Sequence, residues 1–77
     1  MTIVSGTYVD RKLNVLKLTL NGVENNFFMY SNRVTDVYLI DIEEETVRKT
    51  SVADLKNGDK VMLRHEYAAI NDAFVIR

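Results

Sequence analysis

The chain has 77 residues, 47% of them hydrophobic and 27% charged, with a net charge of −1 and no cysteine. That is one domain of ordinary globular composition, which argues against intrinsic disorder. It excludes disulfides, thiolate metal sites and thiol nucleophiles, and it provides no long-range field to draw in a polyanion.

The first strand is predicted over Ile3 to Val9, with Val4, Gly6 and Tyr8 alternating against Ser5 and Thr7. Gly6 inside it predicts a bend or bulge of the kind a small barrel needs at a corner. Asp10-Arg11-Lys12 reads as the following turn, and Leu13 to Leu20 as the second strand.

Asn21-Gly22 is the strongest local signal. Both residues tolerate positive φ, so the pair predicts a two-residue type I′ hairpin, which fixes the register. Leu20 then faces Val23, Leu18 faces Asn25, Leu16 faces Phe27 and Asn14 faces Met29. On the other side Thr19 meets Glu24, Lys17 meets Asn26, Val15 meets Phe28 and Leu13 meets Tyr30. The hairpin is apolar on one side at its tip and on both sides at its base, which fits a curled sheet.

Ser31-Asn32-Arg33 is a connector, and Asp36 to Ile42 is a strand carrying Val37 and Leu39 on one side and Tyr38, Ile40 and Ile42 on the other. Glu43-Glu44-Glu45 makes a turn, and Thr46 to Thr50 suits a short return strand. Ser51 to Gly58 reads as a one-turn helix: Ser51 as N-cap, Asp54 completing a capping box, Gly58 taking the left-handed terminating position. Val52 and Leu55 share a face and can plug a barrel end. Lys60 to Tyr67 is the next strand, Ala68 to Asp72 a loop and Ala73 to Ile76 a final short strand.

These elements predict an all-β fold: a small β-barrel or rolled antiparallel sheet of five to six strands with one short helical turn. An OB-like barrel is one candidate. Its helix sits between the third and fourth of five strands, whereas here the helical turn follows a fourth strand. Strand-like sequence at both ends, without a linker or an internal repeat, reads as a single domain over 1–77 excised from a longer chain.

No set of residues assembles into catalytic or metal-binding machinery, so the expectation is a non-enzyme without cofactor. His65, the one histidine, has Glu66 on the opposite strand face and reads as structural or rim-bound. Glu43 to Glu45 with Asp41 lacks the glycine and alternating spacing of a calcium loop and reads as a solvated turn. Ser5, Ser31 and Ser51 lack a nucleophile-elbow setting, and the glycines are isolated at 6, 22 and 58. Arg11-Lys12, Arg48-Lys49 and Lys60 with Arg64 are basic, and Tyr8, Phe28, Tyr30, Tyr38 and Tyr67 could stack on bases. An OB-like single-stranded nucleic-acid-binding domain is therefore the alternative function, opposed by the acids interleaved with each basic pair.

Ser51-Val52-Ala53-Asp54-Leu55-Lys56-Asn57-Gly58-Asp59-Lys60-Val61 resembles a "ladLKxGDkV" segment that leads a short helix into a strand. Upstream, Ser31-Asn32 through Val37-Tyr38-Leu39-Ile40 resembles the strand that precedes it, and Gly6-Thr7-Tyr8-Val9 with Val15 to Leu20 resembles the opening hairpin. Together they resemble the small β-barrel repeats of Gram-positive cell-surface proteins, including those with S-layer homology domains. The resemblance implies a structural or interaction module of a larger bacterial surface protein, placed outside the cell or in the wall. Its partners would be neighbouring domains of the parent chain or other surface proteins, without membrane insertion. It implies no catalytic residue. Hedgehog and intein domains share a "DLKxGDxV" segment but commonly depend on a cysteine at their junction.

Overall fold

The computed structural model describes all residues, Met1–Arg77. Seven strands form one sheet: β1 Thr2–Lys12, β2 Val15–Leu20, β3 Val23–Met29, β4 Asp36–Asp41, β5 Thr46–Thr50, β6 Lys60–Glu66 and β7 Ala69–Ile76. A 3-10 turn at Val52–Asp54 lies between β5 and β6. The protein is all-β, a small barrel, and no helix is long and apolar enough to cross a membrane.

The strand order is β3-β2-β1-β6-β7-β4-β5, and β3 also pairs with β7, which closes a ring of β1, β2, β3, β7 and β6. That closure is short and parallel, Phe28 opposite Ala69 and Met29 opposite Ile70. Beyond it β7 changes neighbour and runs parallel to β4, from Asp36 opposite Asp72 to Ile40 opposite Ile76. The change happens where Asn71 stands as an extra residue: Arg64 faces Asp72 but His65 faces Ile70. A bulge bends its strand and deepens the twist, which lets one strand serve two partners. The sheet is thus mixed, not purely antiparallel. Counting only the ring strands in chain order, the helical turn falls between the third, β3, and the fourth, β6, as in an OB barrel. The mismatch read from the sequence comes from the β4–β5 hairpin, which lies outside the ring.

Asn21 and Gly22 adopt φ of 51° and 80°, and the hairpin register runs from Leu20 opposite Val23 to Val15 opposite Phe28, as predicted. Met29 N–H still donates to Asn14 O at 2.8 Å, but Leu13 leaves the ladder for a two-residue turn, at φ 54°.

Three local expectations are corrected. First, Asp10-Arg11-Lys12 continues β1 to Lys12, where it pairs with Val15. The bulge in β1 falls at Val9, not Gly6, since Tyr8 faces Leu18 and Asp10 faces Lys17. Gly6 serves close approach instead: a Cβ there would lie 2.4 Å from Leu20 Cδ2 and 2.7 Å from the Thr19 carbonyl. Second, Ser51 occupies the N-cap without a side-chain capping bond. Asp54 accepts from the Thr50 hydroxyl instead, and the helical segment is one 3-10 turn. Third, Ala68 to Asp72 is not a loop. The chain reverses on Tyr67 and Ala68, with Tyr67 at φ 53°, and β7 begins at Ala69.

The core is one cluster: Tyr8, Leu16, Leu18, Phe27, Val37, Leu39, Leu55, Val61, Leu63, Ile70, Ala73 and Val75. Leu55 is buried and Val52 packs against the cluster, so the 3-10 turn plugs the barrel as expected. Alternation sends Tyr38 and Phe74 to the outer face, where their rings stack at 5.4 Å.

A candidate binding pocket beside the barrel closure

A cavity of about 220 Å³ opens where the β1–β2 turn, the β3–β4 connector and the start of the 3-10 turn meet. Leu13 and Asn14 come from the first, Met29, Tyr30, Arg33, Val34 and Thr35 from the second, and Ser51 and Val52 from the third. The β4–β5 hairpin positions it: β4 lies outside the ring and pairs with the ring strand β7, and the connector Tyr30 to Thr35 spans the gap from β3.

The floor is apolar, with Met29 and Val52 both packed against the core cluster. The rim is also apolar yet faces water: Leu13 is 88% exposed and Val34 84%. Leu13 additionally holds a left-handed backbone that glycine or asparagine adopts at lower cost. Exposed aliphatic side chains beside an apolar concavity make it a candidate binding surface.

Arg33 supplies the cation. Its guanidinium lies 4.5 Å over the Tyr30 ring centroid, and its Nη2 donates to Asn71 Oδ1 at 2.9 Å. The bulge at the barrel closure therefore anchors the arginine of the pocket. None of the three ion pairs in the chain, Lys49–Asp36, Arg64–Asp72 and Arg77–Asp59, uses Arg33. Thr35 is 6% exposed, and no side-chain hydrogen bond uses its hydroxyl or that of Ser51. Aliphatic walls with one fixed cation and free hydroxyls recognise an apolar group beside a negative one.

The residues singled out from the sequence lie elsewhere, Tyr30 and Ser51 excepted. His65 packs its ring on Phe27, centroids 5.0 Å apart, and its Nδ1 lies 2.6 Å from Tyr67 O. A carbonyl only accepts, so Nδ1 carries the proton, and the buried Nε2 has no partner. The sequence leaves a structural or a rim position open; here the ring packs on the core residue Phe27 with Nε2 buried. Glu43 to Glu45 lie in the β4–β5 turn, where Asp41 Oδ1 accepts from Glu44 N at 3.1 Å. No three His, Asp or Glu side chains converge on a metal-sized site.

The basic residues are scattered, and half of them are engaged. Lys49 reaches Asp36 at 3.1 Å, and that carboxylate raises the lysine's pKa. Arg64 Nε donates to Asp72 Oδ1 at 2.7 Å, and Arg11 to Leu13 O at 3.3 Å. Of the candidate stacking rings, Tyr8 is in the core, its pKa raised chiefly by burial. Phe28, Tyr30 and Tyr67 are exposed.

The sequence places Arg33 in a connector and assigns Val34 and Thr35 to no element of their own. The available signal was an arginine and an exposed-looking valine between two tyrosine-bearing strands, which no motif records. No family profile, curated protein or solved structure matches the chain.

Proposed function

We propose that this domain is a non-enzymatic interaction module, one unit of a larger bacterial surface protein, and that it grips a protein partner through the cavity beside Arg33. The observation carrying this reading is the apolar rim of Leu13, Tyr30 and Val34 around a concave, apolar floor. A lining with one guanidinium and no acid suits recognition better than proton transfer. The placement in a surface protein rests on the resemblance of Ser51 to Val61 and its flanking strands to such repeats.

Selection from a random peptide library tests it. Peptides that bind are expected to share an apolar residue, and to lose the domain when Val34→Glu places a charge on the rim. Val34 is too exposed for that change to unfold the protein. Selected peptides that bind the variant equally well would contradict the reading. Protease or antibody access to the full-length protein on intact cells tests its location; a protein reached only after lysis would refute it.

The outward stack of Tyr38 on Phe74, with Lys49 and Arg64 nearby, favours a second reading as a single-strand platform. Asp36 and Asp72 neutralise both cations. Anisotropy with mixed oligonucleotides decides: micromolar affinity at ~150 mM salt would favour the second reading.

A further inference from the structure

The cavity is small. Its 220 Å³ equals the volume of about seven waters, room for an apolar side chain. A ligand pocket for a whole small molecule is larger, roughly 300–1,000 Å³. Its size suits a projecting group of a larger partner that continues across the rim, where Leu13 and Val34 stand exposed.

Beside the cavity, Arg33 is a cation without an acid. Tyr30 below and Asn71 beside it hold the guanidinium in place, and an arginine fixed in advance loses little freedom on binding a carboxylate. Asn71 takes one of its five N–H groups, leaving the fork free for two oxygens. Thr35, a buried residue, lines the same cavity with a hydroxyl that no side-chain hydrogen bond of the chain uses and that is open to solvent.

We infer, resting on the interaction reading above, that the cavity is a receptor for the C-terminal residue of a peptide. The terminal side chain, apolar and about the size of leucine, fills the floor over Met29 and Val52. The α-carboxylate pairs with Arg33. The preceding residues cross the rim between Leu13 and Val34. A terminal residue is the one place in a polypeptide where an apolar side chain and a carboxylate leave the same carbon, which matches an apolar cavity with a single cation at its edge.

NMR titration at ~150 mM salt, where weak non-specific charge attraction is screened, tests it with four probes: N-acetyl-leucine, N-acetyl-leucinamide, 4-methylpentanoate and an acetylated hexapeptide ending in Leu. N-acetyl-leucine is expected to shift the Leu13, Val34 and Val52 methyls saturably, with Kd of about 1–10 mM for so small a ligand. The amide should bind at least ~10-fold more weakly, and the hexapeptide at least ~10-fold more tightly, than N-acetyl-leucine. Arg33→Gln should erase the difference between acid and amide. If Arg33→Gln disturbs the connector, the acid–amide comparison in the unaltered protein still decides.

Equal binding of acid and amide overturns the carboxylate and leaves the apolar anchor of the interaction reading standing. A free acid, 4-methylpentanoate, binding as tightly as the hexapeptide overturns the peptide and makes the site one for small acids. No shift from any probe at 20-fold above the expected Kd removes the cavity from both readings.

Discussion

Asp59 and Arg77 form a forked pair that ties the C-terminal strand to the helical turn. Arg77 Nε donates to Asp59 Oδ1 at 3.2 Å and Nη2 to Oδ2 at 2.9 Å. The same Nη2 reaches Asp54 O at 2.8 Å. Asp59 Oδ2 also accepts from Lys56 N at 2.8 Å, while its backbone carbonyl accepts from Tyr8 N at 2.8 Å. One aspartate thus joins β1, the 3-10 turn and β7. The "GD" of the segment from Ser51 to Val61 has a structural purpose here.

The Arg77 guanidinium, ahead of the Lys56 amide, holds the Asp59 carboxyl below its ordinary value despite burial pulling the other way. A carboxylate with a lowered folded pKa stabilises the fold above its unfolded value of about 3.9, and that stabilisation is lost as pH falls through the lowered folded pKa. Asp59→Asn should cost about 2 kcal/mol at pH 7, as for charge-assisted hydrogen bonds, and flatten the stability loss below about pH 4. Urea melts at pH 7 and pH 3 measure both. A variant with an unchanged acid limb would show that the pair contributes nothing.

Gly6→Ala should destabilise by about 1–3 kcal/mol, the range for forced overpacking. The Leu20 side chain can turn away from a new Cβ, but the Thr19 carbonyl at 2.7 Å belongs to the β2 backbone. A denaturation midpoint equal to that of the unaltered protein would mean β1 and β2 lie further apart at this point.

Ser51→Ala should leave stability within about 0.5 kcal/mol, as for a surface change that breaks nothing. Ser51 makes no capping bond, and the adjacent Thr50 hydroxyl bonds to Asp54. A loss near 1 kcal/mol, typical of a removed N-cap, would restore Ser51 to the capping role its sequence position suggests.

Tyr67→Asn should raise the melting temperature. Tyr67 is 98% exposed, so its ring contributes little burial, and its φ of 53° costs a residue other than glycine or asparagine about 1 kcal/mol. In a domain of this size, relief of that cost moves Tm by roughly 4–8 °C. A fall in Tm would show that the tyrosine ring packs on something the turn geometry conceals.

Local chemistry was legible where one turn fixes everything around it. Asn21-Gly22 set six residue pairs correctly because both residues reach positive φ easily. The turns at Leu13 and Tyr67 were not legible, because neither residue favours the backbone it adopts. The strand ends beside them moved accordingly. Val9 and Asn71 hid two more features: a bulge breaks the alternation by one residue, so β1 was cut short and β7 started late. The parallel closure of β3 on β7 joins residues some forty positions apart and leaves no periodic trace. The pocket depends on all of these, since it forms only when the connector Tyr30 to Thr35 spans the side of the closed ring.

The proposed partner site is the cavity lined by Leu13, Arg33 and Val34. The direct measurement is a set of intermolecular NOEs between a library-selected peptide and the isotope-labelled domain. Contacts from an apolar peptide side chain to the Leu13, Val34 and Val52 methyls are the predicted result. Contacts confined to Tyr38 and Phe74, or to the β5 edge at Arg48, with none at Val52, would contradict it.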